Sequence, residues 1–220
     1  GKLFSTGNHP VEALLPMLHL KNAGFDFEIA TPTGKPVVFE MWAFPEKDEY
    51  VKAIYNDLKS QFAKPLKLAD FIENSFNDTT SYAAVFVPGG HGAMIGIPED
   101  RNVGKVLNWA KENDLFTITL CHGPGSLLST TLNNQDFIYE GYKMAVFPDS
   151  VDKKTPIIGY LPGQMLHGLS DKLKSLGAII VNTKSDKTVC VDRKLITGAS
   201  PLASNELGQL AAKTLLEDLS

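Results

Sequence analysis

The spacing of apolar positions along this chain changes several times, and each change marks an element. Val11, Leu14, Leu15, Leu18 and Ala23 recur at helical spacing. Pro10 stands at the first helical position, Glu12 falls in the first turn, and Gly24 ends the run. Phe25, Phe27 and Ile29 then alternate with Asp26 and Glu28, which predicts a strand over residues 25–30, closed by Thr31-Pro32-Thr33-Gly34. Residues 35–80 differ in texture, being charged with one short apolar run at Val37-Val38-Phe39. Two short helices are predicted there, over 48–59 and 66–74. This stretch reads as an inserted small subdomain rather than a linker, because Met41, Trp42, Phe44, Tyr50 and Phe71 are expected to be buried.

From residue 83 onward strands and helices alternate cleanly. Ala83-Ala84-Val85-Phe86-Val87 is continuously apolar, as in a strand buried on both faces. It runs into the loop Pro88-Gly89-Gly90-His91-Gly92. A helix is predicted over 102–113, with Val103, Val106, Leu107 and Ala110 on one side. Phe116-Thr117-Ile118-Thr119-Leu120 is a second buried strand, followed at once by Cys121-His122-Gly123-Pro124 and a short helix. A strand over 144–147, a helix over 165–176 and late strands over 179–181 and 194–197 follow. Ser200-Pro201 caps a closing helix that carries Leu202, Leu207, Leu210, Ala211 and Leu215. Strands alternating with helices imply an α/β fold with a parallel sheet.

Composition narrows the class. The chain has 220 residues, 43% of them hydrophobic, which suffices for a full core without disulfides or metals. Lys and Arg number 21 against 25 Asp and Glu, a net charge of −4, so the basic stripe of a dedicated nucleic-acid binder is missing. No apolar run approaches the roughly 18 residues of a membrane span. Two cysteines, Cys121 and Cys190, are too few for a disulfide framework. A cytoplasmic protein of one compact domain is expected, with no membrane association.

Three features fall where α/β sheets place their ligands, beyond the carboxyl ends of the strands. Cys121 sits on a sharp strand-to-helix turn, a geometry that projects a nucleophile above the sheet, where a helix N-terminus lowers a thiol pKa and favours thiolate. The alternative is a small buried hydrophobe, the commonest fate of a free cysteine. Gly89 and Gly90 let backbone N–H groups approach a ligand, as an oxyanion hole requires; a plain tight turn is the alternative, and no phosphate-binding fingerprint occurs in this loop. Glu12 either caps its own helix or sets its carboxyl group against the Cys121 sulfur.

His9-Pro10-Val11-Glu12, Val87-Pro88-Gly89-Gly90-His91-Gly92, Cys121-His122-Gly123-Pro124, Phe147-Pro148-Asp149 and Leu195-Ile196-Thr197-Gly198 occur in that order. Together they resemble the ThiJ/PfpI superfamily, and within it the HchA-type branch, known as heat-shock chaperones, glyoxalase III enzymes and protein deglycases. The resemblance covers nearly the whole chain, including Glu40-Met41-Trp42-Ala43 and Ser200-Pro201-Leu202-Ala203. It implies a flavodoxin-like three-layer sandwich with a mainly parallel sheet, residues 1–34 and 81–220 forming the main domain and 35–80 the inserted subdomain. It also implies a homodimer. Cys121 would be the nucleophile, His122 its neighbouring histidine, Asp152 the acid that orients this histidine, and Glu12 the acid bonded to the cysteine. Gly89, Gly90 and His122 would supply oxyanion and substrate contacts. The implied activities are glutathione-independent conversion of methylglyoxal to lactate, removal of early glycation adducts from proteins, and holding of unfolded protein clients, with no cofactor.

The chain also departs from that branch. Where it carries two histidines and a glutamate around a metal, the matching positions here hold Lys21, Asp26 and Leu58, so no metal is expected there. His19 and His167 are expected in core or surface roles, and Cys190 as a structural strand cysteine. A further departure lies at the start: in that branch an extension and a first strand precede the segment matching Gly1-Lys2-Leu3-Phe4. In the order 2-1-3-4-5 that strand lies inside the sheet beside residues 25–30, so a preceding segment is expected. Other readings are a cysteine peptidase or amidase on the same fold, or a non-catalytic holding chaperone with a redox-sensing cysteine. Exposed Met41, Trp42 and Phe44 would favour the last.

Overall fold

The protein is described by a computed structural model that covers residues 6–78, 81–158, 161, 163–165 and 168–220. His167 and Gly1 to Ser5 lie outside the described residues. Helix α1 (Pro10–Asn22) opens on Pro10, whose missing N–H is one that a helix start leaves unpaired anyway. It buries Ala13, Leu14, Met17 and Leu20. The alternating stretch after it enters a ladder only at β1 (Ala30–Thr31), which pairs in parallel with β2 (Leu66–Lys67). The predicted strand over 25–30 is thus shortened. The alternation itself is kept: Phe25 and Phe27 pack inward while Asp26 and Glu28 face solvent. What is missing among the described residues is a neighbouring strand for that backbone.

Helix α2 (Glu49–Ala63) starts at Asp48, whose Oδ1 accepts the N–H groups of Tyr50 and Val51 at 3.0 and 3.1 Å. Val51, Ile54, Leu58 and Phe62 line its inner face and pack with Ala13, Leu14, Met17 and Phe39. Residues 35–80 are therefore joined to α1 through a shared apolar core. Met41, Trp42 and Tyr50 are not buried there as expected: they are 54%, 49% and 74% exposed, because the first two ride a single tight turn and Tyr50 faces outward from α2. Phe71 of α3 (Leu68–Ser75) does pack as expected, edge-on against Phe76, Tyr82 and Trp109.

The sheet begins with β3 (Ala84–Val87), followed by α4 (Arg101–Glu112), which Asp100 caps through the N–H groups of Asn102 and Val103. Then come β4 (Phe116–Leu120), a 3-10 segment over Gly123–Thr131, β5 (Lys143–Met144), and two short helices, α5 (Asp149–Asp152) and α6 (Leu169–Ser175). The chain ends with β6 (Ile179–Ile180), β7 (Val189–Asp192), β8 (Leu195–Gly198) and α7 (Ser204–Asp218). The strand order is β3-β4-β8-β7; the first two ladders are parallel and β7 runs antiparallel along β8. Strands β5 and β6 form a separate parallel pair. This is a flavodoxin-like, mainly parallel sheet with helices on its faces.

Strand β4 is buried at every residue. Strand β3 is only half-buried throughout, contrary to expectation, because it pairs along one edge alone among the described residues. Helices α1 and α7 meet closely at Gly208, where a Cβ would come within 2.8 Å of Pro16 Cα. His19, half-buried, bonds Asn205 Oδ1 across this junction at 2.9 Å. Cys190 stands in β7, half-buried, with no disulfide. No helix among the described residues is long and apolar enough to cross a membrane. Leu107, wholly buried on α4, packs in the cluster with Leu127, Leu173 and Leu195. Leu107→Ala is expected to lower the unfolding free energy by about 2–5 kcal/mol, read from a denaturant titration with an unchanged m value.

Candidate active site

Leu120 ends β4 and Cys121 turns the chain with φ +58°, a left-handed conformation outside the ordinary range for a cysteine. Such strain costs about 1–3 kcal/mol and must be held by its surroundings. Two backbone bonds hold it: Cys121 N–H donates to Gly198 O at 2.8 Å, and Phe147 N–H donates to Cys121 O at 2.9 Å. The elbow expected from the sequence is therefore present, and its side chain is only 3% exposed. His122 follows, equally buried. Its Nδ1 lies 3.4 Å from Cys121 Sγ, and its Nε2 lies 2.9 Å from Asp152 Oδ2. With Asp152 accepting from Nε2–H, the Nδ1 lone pair faces the thiol. Asp149, three residues earlier, has another job: its carboxylate accepts the N–H groups of Ser170 and Asp171 at the start of α6.

Glu12 arrives from the first turn of α1 and is 1% exposed. It does not cap its own helix, since the His9 N–H that a capping carboxylate would take donates to Gly89 O at 3.0 Å. Its carboxyl group is instead in hydrogen-bonding contact with Cys121. Gly89 is what allows this approach. A Cβ there would strike Glu12 Oε2 and lie 2.5 Å from Leu120 O and 2.9 Å from Cys121 Cβ. Gly90 next to it has φ +112°, and a Cβ there would strike the backbone of Gly7 and His9. Gly89→Ala is expected to displace Glu12, cutting turnover and lowering stability by about 1–3 kcal/mol, measurable by activity and thermal melting together.

The electrostatics correct one expectation. Burial and the neighbouring Glu12 carboxyl push the Cys121 thiol well above its ordinary value, which favours thiol over thiolate. The His122 N–H acts in the expected direction but is outweighed. Burial likewise raises Glu12 well above the carboxylate range, in the direction that favours its protonated form.

A second cluster adjoins the first and was not anticipated. Glu40 is completely buried and accepts bonds from His91 N–H, His91 Nδ1 and Thr6 Oγ1, each at 3.1 Å. Burial works to raise its pKa, but these bonds, chiefly those from His91, prevail and hold it below the usual carboxylate range. The His91 ring stands 5.1 Å from the His122 ring. His9, whose pKa burial lowers, meets Trp42 edge-on at 6.4 Å. The available signal was a lone carboxylate, Glu40, between Phe39 and Met41-Trp42, together with a histidine inside a glycine loop.

Comparison with known proteins supports a family assignment. No family model matches the chain. The curated protein/nucleic acid deglycase HchA of Staphylococcus aureus (strain MSSA476) is 51% identical over 217 residues, which cover 98% of this chain and 74% of that protein. The chain belongs to the HchA deglycase family. Two solved structures share its fold: the 24 kDa rapid encystment protein of Francisella tularensis and a glyoxalase III of Candida albicans. The first has a TM-score of 0.79 at 21% identity, covering 96% of this chain and 90% of its own. The second has a TM-score of 0.72 at 22% identity, covering 94% and 88%. The metal set expected of HchA-type proteins does not fit here. Leu58 lies in the apolar core, Lys21 pairs with Asp57 at 2.8 Å, and Asp26 alone offers a donor.

Proposed function

We propose that this HchA-family protein is a glutathione-independent glyoxalase and deglycase that uses Cys121 as nucleophile. The Cys121–His122–Asp152 chain at a strained elbow, with Glu12 against the sulfur, is the observation that carries this reading. The Cys121 proton passes to His122 Nδ1, and Asp152 stabilises the resulting imidazolium. Sulfur then attacks the aldehyde carbon of a 2-oxoaldehyde to form a hemithioacetal. Protonated Glu12 donates to the former aldehyde oxygen, while the Gly89-Gly90 backbone and the His122 N–H supply the oxyanion surroundings. As a carboxylate, Glu12 next takes the proton from that carbon and returns it to the neighbouring carbonyl carbon, while the hydroxyl proton of the hemithioacetal passes to the former ketone oxygen, leaving a 2-hydroxy thioester. Water releases the 2-hydroxy acid and restores the thiol, a net transformation of the lactate-dehydratase, hydro-lyase class. A raised carboxyl pKa suits a group that must both give and take a proton near neutrality.

The same thiol chemistry at a glycated side chain gives the deglycase reaction. A cytoplasmic setting, which keeps thiols reduced, suits the free Cys121, and the homodimer is carried over from the resemblance. Holding of unfolded clients is supported by exposed Val38, Met41 and Trp42 near the site. The deciding assay is lactate formation from methylglyoxal without glutathione; no lactate from the reduced protein overturns the reading.

A further inference from the structure

Glu40 takes no part in the proton transfers, yet it is a wholly buried carboxylate at the edge of the site. It belongs to the stretch 35–80, and its place is set from two sides. Phe39 before it is buried in the core that α2 shares with α1, edge-on to Tyr55 and Phe62. Glu40 N–H donates to Asn8 O at 2.9 Å and Asn8 N–H donates to Val38 O at 2.8 Å, so the segment leading into α1 runs alongside it. From there Glu40 Oε1 collects three hydrogen bonds. One comes from the Thr6 hydroxyl and two from His91, through its backbone N–H and its ring Nδ1.

The two His91 bonds matter because of what precedes that residue. Gly89 lies so close over the elbow that a Cβ would stand 2.5 Å from Leu120 O and 2.9 Å from Cys121 Cβ. Gly90 holds φ +112°, which sets the direction of the amides on either side of it. Gly89 O accepts the His9 N–H at 3.0 Å, and Gly92 N–H donates to Gly7 O at 3.1 Å. Between these two backbone bonds, Glu40 grips the loop at its middle. The held residue also borders the proton relay, its ring 5.1 Å from that of His122. Stability alone is a poor reason for a carboxylate here. A buried charge is costly, and neutral side chains often serve as well. Glu40 Oε2, moreover, has no hydrogen-bond partner among the described residues.

We infer that Glu40 is a positioning residue for the reaction at Cys121: through His91, its carboxylate fixes the glycine loop so that the Gly89-Gly90 backbone meets the substrate oxygen as charge develops there. A charged acceptor suits this task, because hydrogen bonds to a carboxylate are shorter and stronger than neutral ones. Donors fixed in advance need no reorganisation during the reaction. The stretch 35–80 thereby serves catalysis through a group that touches no substrate. The clamp is independent of the glyoxalase reading, whereas its effect on turnover rests on that reading.

Glu40→Gln keeps the shape and removes the charge, and two measurements read the result. Amide hydrogen exchange on the reduced protein follows the clamp without substrate. The His91 and Gly92 amides are expected to exchange about tenfold faster or more in the variant, with those of β4 and α7 unchanged, as in a local opening. Uniform acceleration along the chain, or none in the loop, overturns the clamp. His91→Phe removes the ring bond but keeps Glu40; it is expected to loosen the same amides and replaces Glu40→Gln if that variant does not fold. In the lactate assay Glu40→Gln lowers kcat about 10–100-fold, the scale of a small misplacement of catalytic groups. KM for methylglyoxal stays within about twofold, since the lost interaction is one made in the transition state. The double variant Glu40→Gln/His91→Phe falls no further than the less active of its parents, because both act through one loop. Additive losses mean that Glu40 acts without His91, through its charge on Glu12, and overturn the proposal, as does a raised KM at unchanged kcat. A wild type that makes no lactate overturns the glyoxalase reading and the effect on turnover, whereas hydrogen exchange decides the clamp by itself.

Discussion

Cys121→Ala is expected to lower kcat/KM for lactate formation from methylglyoxal by on the order of 10⁴-fold or more, because no bond to the aldehyde carbon can form without the sulfur. The fold should survive the change. Cys121 is held in its left-handed conformation by backbone bonds to Gly198 and Phe147, and alanine retains both of these. Removing the sulfur also relieves the burial of a thiol next to a carboxyl group. A melting temperature near that of the wild type together with lost turnover is therefore the outcome that assigns the nucleophile. Turnover within tenfold of wild type sinks that assignment, and with it the mechanism.

The second large effect falls on Glu12→Gln, which keeps shape and burial but can neither donate nor take the migrating proton. Turnover should fall about 10²–10⁴-fold, the usual worth of a positioned acid–base group. Stability should move the other way, and its pH dependence has a definite sign. The folded-state pKa of Glu12 lies above its unfolded value because burial disfavours the charge. At low pH both states hold the proton and nothing is lost. Once pH exceeds the ordinary carboxylate range, the unfolded chain releases a proton that the folded chain retains, so wild-type stability declines as pH rises. The glutamine variant lacks this penalty. Its stability curve is flatter, and it gains on the wild type toward neutral pH. Denaturant titrations of both proteins at several pH values check this; parallel curves refute it.

Local rules carried the sequence reading far. Asp48 starts α2 as a side-chain cap, Pro10 starts α1, and the five buried residues of β4 form the central strand. The elbow was legible because a buried strand running directly into Cys121-His122-Gly123 leaves the chain nowhere else to turn. Tertiary effects were not legible. The thiol pKa followed from a helix-end rule that takes no account of a carboxyl group arriving 109 positions earlier in the chain. Glu40 and His91 stand 51 positions apart, and only the fold reveals that they bond. The alternation of residues 25–30 fixed which side chains point inward, but alternation says nothing about whether a neighbouring strand is there to pair with. Exposure of Met41 and Trp42 escaped for a similar reason: an apolar residue declares a preference for burial, while a tight turn decides whether it can be met.

The close crossing of α1 and α7 at Gly208 has a bearing on chemistry performed elsewhere. Glu12 is delivered to the sulfur by a rigid rod, and the far half of that rod is seated where Gly208 admits Pro16 and His19. Alignment of the proton-transferring carboxyl group is therefore governed from a helix junction with no part in the reaction. Tuning turnover in this scaffold is as much a matter of adjusting how two helices lie together as of altering the pocket itself.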